Sequence, residues 1–247
     1  MSKDPDTITH SRDAHDLRVA CEGEGCPVCI VVLENIDRAM DTWQYEGFTD
    51  VQHRKEVIRT RGFCPLHTWQ LAQRNNAFQL AVIYREVLTD LLQTRGDEQE
   101  LRPLRPSQEN WIAEVKRWFQ PGSPSREDTE HLFAGCPLCR TRTNVEQRVV
   151  GRLVELLPSE EMQILLRQST GLCRLHFIQT SQSLQEKGSP LHAVLVTCQR
   201  TCLQRTLDEV KELIRKHDYH ASAESRGEEM TAWRRAAELC AGNPGVH

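Results

Sequence analysis

The chain has 247 residues, 31 Lys and Arg against 35 Asp and Glu, and a formal charge of −4. That length suits one large domain or two of roughly 100 residues, and the near-neutral balance argues against a dedicated nucleic-acid binder, whose phosphate contacts need clustered Lys and Arg. No apolar run approaches the roughly 20 residues of a membrane-spanning helix, and the N-terminal MSKDPDTITHSRDAHD lacks the apolar core of a secretory signal. A soluble, cytoplasmic protein is therefore expected, without a nucleic-acid or membrane partner.

Taken in chain order, residues 1–19 read as a flexible N-terminus. A helix is expected over 27–45, with Val32, Ile36, Ala39, Met40 and Trp43 recurring every three to four residues, the spacing of one buried face. A second helix covers 50–60. From Pro65 to about Gln93 the stripe Ala77, Leu80, Ala81, Tyr84, Val87, Leu88, Leu91 predicts one long amphipathic helix. Gly96 ends it. Residues 96–127 read as a linker, Pro-rich and charged, with a short helix around Asn110–Phe119 whose Trp111 and Trp118 either cover a seam of this chain or meet a partner. The second half then repeats the plan, with helices at about 137–157, 159–168, 174–186 and 189–216. No convincing alternation of apolar and polar residues occurs anywhere. The expected fold is all-α: two similar helical lobes, 20–95 and 128–216, from an internal duplication, plus a C-terminal helix and tail over 217–247.

Ten cysteines need an explanation in a reducing compartment, where disulfides are not the first choice. Four fall in two clusters, Cys26-Pro27-Val28-Cys29 and Cys136-Pro137-Leu138-Cys139. Each is followed by a partner, Gly62-Phe63-Cys64-Pro65-Leu66-His67 in the first half and Gly171-Leu172-Cys173-Arg174-Leu175-His176 in the second. The Cys-x2-Cys clusters are 110 residues apart and the Cys-x2-His clusters 109. Ligand-type residues recurring in that register point to a duplication in which each half carries Cys-x2-Cys and Cys-x2-His claws.

Zinc takes four nitrogen or sulfur donors in a tetrahedron, and Cys3His is a standard closed structural set. Two ligands with two residues between them point the same way from a helix start, where proline fits the first turn and the dipole favours thiolate over thiol. Proximity in the chain groups Cys26, Cys29, Cys64 and His67 in one site and Cys136, Cys139, Cys173 and His176 in the other. The alternative is buried free cysteines and two satisfied histidines. A second alternative is an iron–sulfur cluster. Cys21 and His131 each stand five residues before the first claw of their half and are possible extra or replacement ligands. Cys21-x4-Cys26-x2-Cys29…Cys64 matches the plant-type iron–sulfur spacing, whereas the half beginning at His131 does not. Zinc explains both halves with the same residue types.

Other chemistries fit less well. A dithiol oxidoreductase sets Cys-Pro-x-Cys after a strand in a βαβ unit, which is missing. Haem attachment needs a histidine where Ile30 and Arg140 stand. Cys198 and Cys202, four apart on an apolar helix face, read as packing rather than a thiol pair. In the C-terminal segment His217, His220, Glu224 and Glu228 would share one face of a helix, as ligands for zinc, iron or manganese, as acid and base, or as a solvated face. Trp233, Ala236, Ala237 and Cys240 are expected to pack this segment onto a lobe.

The combination CPVC, RGFCPLH, CPLC and GLCRLH, closed by KHDYH…GEEMTAWRRA, resembles an uncharacterised prokaryotic family filed as a domain of unknown function, over residues from about 20 to 240. The resemblance implies a cytoplasmic protein with duplicated metal claws and carries no activity. No residue set assembles a substrate pocket, so an enzyme is the less favoured class. The leading expectation is a protein-interaction or regulatory module with two structural zinc sites and a protein partner; the rival is an iron–sulfur protein in electron transfer or redox sensing.

Overall fold

The computed structural model describes residues 12–47, 49–74, 77–93, 135–186, 188–218 and 224–246. Among them every regular element is helical and none is a strand. In chain order these are α1 (Arg12–Glu22), α2 (Pro27–Thr42), a π-helical turn (Trp43–Gly47), α3 (Val51–Arg59), α4 (Pro65–Ala72), α5 (Ala77–Gln93), α6 (Pro137–Leu156), α7 (Glu160–Gln168), α8 (Arg174–Glu186), α9 (Leu191–Lys216), a 3-10 turn (Glu228–Thr231) and α10 (Ala232–Ala241).

The chain divides into two compact units, one formed by Met1–Asp37 with Arg142–His247 and the other by Arg38–Thr141. Both boundaries fall inside long helices, α2 and α6, so neither unit coincides with a half of the sequence. Each draws on both.

In the first unit α1 and α9 pack on α7, and α8 and α10 pack on α9. Its centre is a layer of fully buried leucines, Leu17, Leu153, Leu156, Leu157, Leu166, Leu172, Leu184 and Leu195. Two ion pairs fasten α1 over this layer, Arg18 to Glu161 at 3.3 Å and Arg148 to Asp13 at 2.9 Å. The expected flexible N-terminus is thus corrected from Arg12 onward: Ala14, Leu17, Ala20 and Cys21 are buried along one face of a helix.

The second unit has a smaller core, in which α3 and α4 pack on α5. Trp43 meets His53 and Phe63 with ring centroids 5.0 and 5.1 Å apart. Asp50 caps α3 by accepting from the Gln52 and His53 amides at 2.6 and 3.2 Å, satisfying donors that a helix start leaves open. The single helix expected from Pro65 to Gln93 is two helices. The chain leaves α4 at Gln73, ahead of the Asn75-Asn76 pair, a residue type whose side chain competes for backbone hydrogen bonds. On α5 the buried positions are Ile83 and Val87, while Ala77, Ala81 and Leu88 of the expected stripe are exposed. Trp111 and Trp118 of the expected linker helix lie outside the described residues.

At the C-terminus the expected packing residues are also corrected. Ala232 and Leu239 are buried on α10, whereas Trp233 and Cys240 face solvent. No described helix is long and apolar enough to cross a membrane.

Candidate metal centres

All four claws are built the same way. In each, the first cysteine stands immediately before a helix and the second ligand lies in its first turn: Cys26 before α2, Cys64 before α4, Cys136 before α6 and Cys173 before α8. The carbonyl of that first cysteine accepts the first turn's amide every time, from Ile30, Thr68, Arg140 and Phe177 at 2.8 to 3.1 Å. Pro27, Pro65 and Pro137 occupy the opening helical position, where a missing N–H costs nothing. In both Cys-x2-His claws the approach is a glycine with positive φ, Gly62 at 107° and Gly171 at 95°. That backbone lies outside the range of most L-residues and turns the chain abruptly into the helix.

The eight ligand-type residues come together in two groups of four, paired across the halves of the sequence. Cys26, Cys29, Cys173 and His176 form one site, in the first unit; Cys64, His67, Cys136 and Cys139 form the other, in the second. The grouping expected from chain proximity is therefore corrected: each site takes its Cys-x2-Cys claw from one half and its Cys-x2-His claw from the other. Within each group the ligand atoms all lie within 4.8 Å of one another. His176 Nδ1 is 3.5, 3.3 and 3.2 Å from the sulfurs of Cys26, Cys29 and Cys173. His67 Nδ1 is 3.1, 3.6 and 3.4 Å from those of Cys64, Cys136 and Cys139. The sulfurs of Cys29 and Cys173 are 3.8 Å apart and those of Cys139 and Cys64 3.4 Å.

Metal–sulfur bonds of about 2.3 Å in a tetrahedron put sulfur atoms about 3.8 Å apart, with sulfur–nitrogen edges slightly shorter. The observed edges match one ion at the centre of each group. They are far too long for disulfides, and none of these cysteines is in one.

Electrostatics tells the same story. Hydrogen bonds from Cys26 and Cys29 pull Cys173 far below the ordinary thiol value, and those from Cys139 and Cys64 do the same for Cys136. Cys29 and Cys139 are pushed up, Cys29 chiefly by Cys173 and Cys139 chiefly by Cys136. Burial pulls both imidazoles down, but the sulfurs outweigh it. His67 rises to about 9 through Cys136 and Cys64, and His176 to about 11 through Cys173, Cys26 and Glu146. Each group thus gathers negative charge that a cation neutralises: a proton on the imidazole without metal, a divalent ion in its place once the remaining protons leave. These two buried groups can hold metal ions.

Around the first site the supporting contacts are extensive. Asn243 accepts from the Cys26 amide at 3.1 Å, and Thr170 accepts from the Gly25 amide at 3.1 Å. Gln199 clamps the Leu172 peptide on both sides, accepting from its N–H at 2.9 Å and donating to its C=O at 2.8 Å. Around the second, Thr68 and Tyr84 hydroxyls meet at 2.9 Å and Thr68 donates to the Phe63 carbonyl at 3.2 Å. None of these residues belongs to a motif. Gln199 was visible only as a polar residue inside an apolar helix face.

The remaining candidates are placed as follows. Cys21 is buried but belongs to neither group, and its thiol is pushed up to about 12, first by burial and then by Cys26, Cys202 and Glu22. His131 lies outside the described residues. The plant-type set Cys21, Cys26, Cys29 and Cys64 is not assembled, because Cys64 sits with Cys136 and Cys139. Cys198 and Cys202 are buried packing residues whose thiols donate to carbonyls of α7, Gln163 at 3.8 Å and Leu166 at 3.2 Å. His217, Glu224 and Glu228 do not share a helix face: α9 ends at Lys216, His217 is its C-cap, Glu224 pairs with Arg215, and Glu228 opens the 3-10 turn. His220 lies outside the described residues.

The chain belongs to a family of unknown function, DUF6062, whose model matches residues 17–245. The match spans all eight cysteine and histidine residues of the two sites. No curated protein and no solved structure matches the chain.

Proposed function

We propose that this member of DUF6062 is a non-catalytic interaction or regulatory module held together by two structural zinc ions, one in each Cys3His site. One observation carries the reading: four donors per site within 4.8 Å, three sulfurs and one imidazole nitrogen. That spread suits the coordination sphere of one ion. An iron–sulfur cluster places two or four irons and their sulfides between its protein ligands, which spreads the donors further. Closed four-ligand sites leave no open position for substrate, the pattern of structural rather than catalytic zinc.

The chain's own residues do the work that keeps such an ion. Helix N-termini stabilise the thiolates, and burial excludes water; the hydrogen bonds of Asn243 and Gln199 hold the claw backbones in the first site. The interaction half of the reading rests on exposed aromatic side chains, Trp69 at 68% and Trp233 at 58% exposure, the latter lining an open groove of about 690 Å³ with Ala237, Ala241 and Pro244.

Elemental analysis of anaerobically purified protein tests the metal. Two zinc per chain and no iron is the expected result. Brown protein containing iron and sulfide transfers the reading to an iron–sulfur protein in electron transfer or redox sensing, and folded protein without metal overturns both. Trp69→Ser and Trp233→Ser test the partner: they should abolish a specific co-purifying protein while both metals stay bound.

A further inference from the structure

We infer that Glu146 is a positioning residue that makes the two sites unequal: Cys26, Cys29, Cys173 and His176 retain their metal, whereas Cys64, His67, Cys136 and Cys139 form the exchangeable site that responds to metal supply. The inference rests on the reading that both sites bind a metal.

Glu146 lies on α6 and is only 6% exposed. A buried carboxylate is costly unless something compensates its charge. Its Oε1 is 3.8 Å from Nε2 of His176, the nitrogen on the far side of the ring from the Nδ1 that faces the three sulfurs. Arg142 places its Nε 4.0 Å from the same oxygen and donates from its guanidinium to the Val246 carbonyl at 2.7 Å. The arrangement is carboxylate, imidazole, metal. A carboxylate behind a ligating histidine fixes the ring's tautomer and orientation and raises its basicity, and removing such a partner typically costs about 10- to 100-fold in metal affinity.

Among the described residues the second site has no such carboxylate: His67 is fully buried and no Asp or Glu forms an ion pair with its ring, whereas His176 has Glu146 at 3.8 Å. In the register of the duplicated Cys-x2-Cys claws, the counterpart of Glu146 is Ile36, which has nothing to offer an imidazole N–H. Access differs as well. All four ligands of the first site are buried, while Cys139 of the second is partly exposed. A chelator or a competing thiol therefore reaches the second site first and meets the less well oriented histidine.

The test uses full-length protein loaded with two zinc ions and challenged with EDTA, release being followed with a chromophoric zinc indicator. One equivalent should leave quickly and one slowly. Alkylation with iodoacetamide after the fast phase, read by mass spectrometry, should modify Cys64, Cys136 and Cys139 and spare Cys26, Cys29 and Cys173. In E146Q, which keeps the size of the side chain, the slow equivalent should lose about 10- to 100-fold in affinity with the fast one unchanged. Cobalt-substituted E146Q should show altered visible bands from the first site alone, a change that general loosening of the fold does not produce. Release of both equivalents in one phase, alkylation of the first site's cysteines first, or an E146Q protein with unaltered affinities overturns the inference. If E146Q does not fold, the alkylation pattern of the wild-type protein decides alone. Protein that binds no metal at all defeats the metal reading instead, so the two failures are distinguishable.

Discussion

The two sites are chemically the same set, three cysteines and one histidine on helix starts, yet they sit in different surroundings. The site in the first unit is ringed by buried polar contacts, Asn243 on Cys26, Gln199 on Leu172 and Glu146 behind His176, over a broad leucine core. In the second unit Thr68 and Tyr84 support the claw, and among the described residues no carboxylate stands behind His67. The ligand types recur between the two sites; the residues around them differ. A metal site is thus specified as much by what holds the ligands as by the ligands themselves.

The largest effect should come from removing a ligand. Zinc binding at such a site contributes folding free energy of order 10 kcal/mol, more than a small core can replace. Cys64→Ala should therefore unfold the second unit, seen as lost helical circular dichroism and protease cleavage confined to Arg38–Thr141, while Cys173→Ala should leave more residual helix because the first unit keeps its leucine layer. Equal losses from the two variants would break the comparison.

The next effect compares residues in the same register of the two Cys-x2-His claws. Leu172 is fully buried and Phe63 5% exposed. Leu172→Ala should cost about 2–5 kcal/mol and Phe63→Ala about 3–5 kcal/mol, the latter adding the loss of its edge contact with Trp43. Denaturant titration of metal-loaded protein measures both.

Smaller still is the glycine pair. Gly62→Ala and Gly171→Ala both force an L-residue to positive φ, about 1–3 kcal/mol each. The added Cβ meets Cys202 Cβ at 2.8 Å in the first unit but only the Tyr84 ring at 3.3 Å in the second. Gly171→Ala should thus be the more damaging, by thermal denaturation.

The smallest concerns pH. Lys216 donates to Glu229 at 2.9 Å, and with the Gly227 amide it pulls that carboxyl down from 4.5 to about 2. A depressed carboxylate stabilises the folded state above its ordinary value and loses that contribution as protonation proceeds. Wild type should be slightly more stable than E229Q above pH 4.5, the gap closing as pH falls toward 2. A gap that persists at pH 2 would show the ion pair to be irrelevant.

Much of this was legible in the sequence because it is local. The helices α7, α8 and α9 follow directly from apolar spacing, since a helix needs only neighbours three and four residues away to display a face. Cys198 and Cys202 read as packing from the same pattern. Where local pattern competes with local chemistry the two part: the helix expected from Pro65 to Gln93 ran through Asn75-Asn76, yet the first helix stops at Gln73. The face of His217, His220, Glu224 and Glu228 presupposed a continuous helix. α9 instead ends at Lys216, where Arg215 takes Glu224.

The sequence by itself determined the eight ligand-type residues, their recurring spacing and the all-helical class of the described residues, because each claw is one helix turn and each helix carries its own period. Which claws meet was decided only by tertiary structure. Cys29 and Cys173 stand 144 residues apart, against 35 between Cys29 and Cys64. Closing a loop about four times longer costs only about 1.2 kcal/mol more. Burial of a single leucine exceeds that, so packing rather than nearness along the chain sets the pairing. The same packing brought Glu146, Gln199 and Asn243 to a site with which no spacing in the sequence connects them.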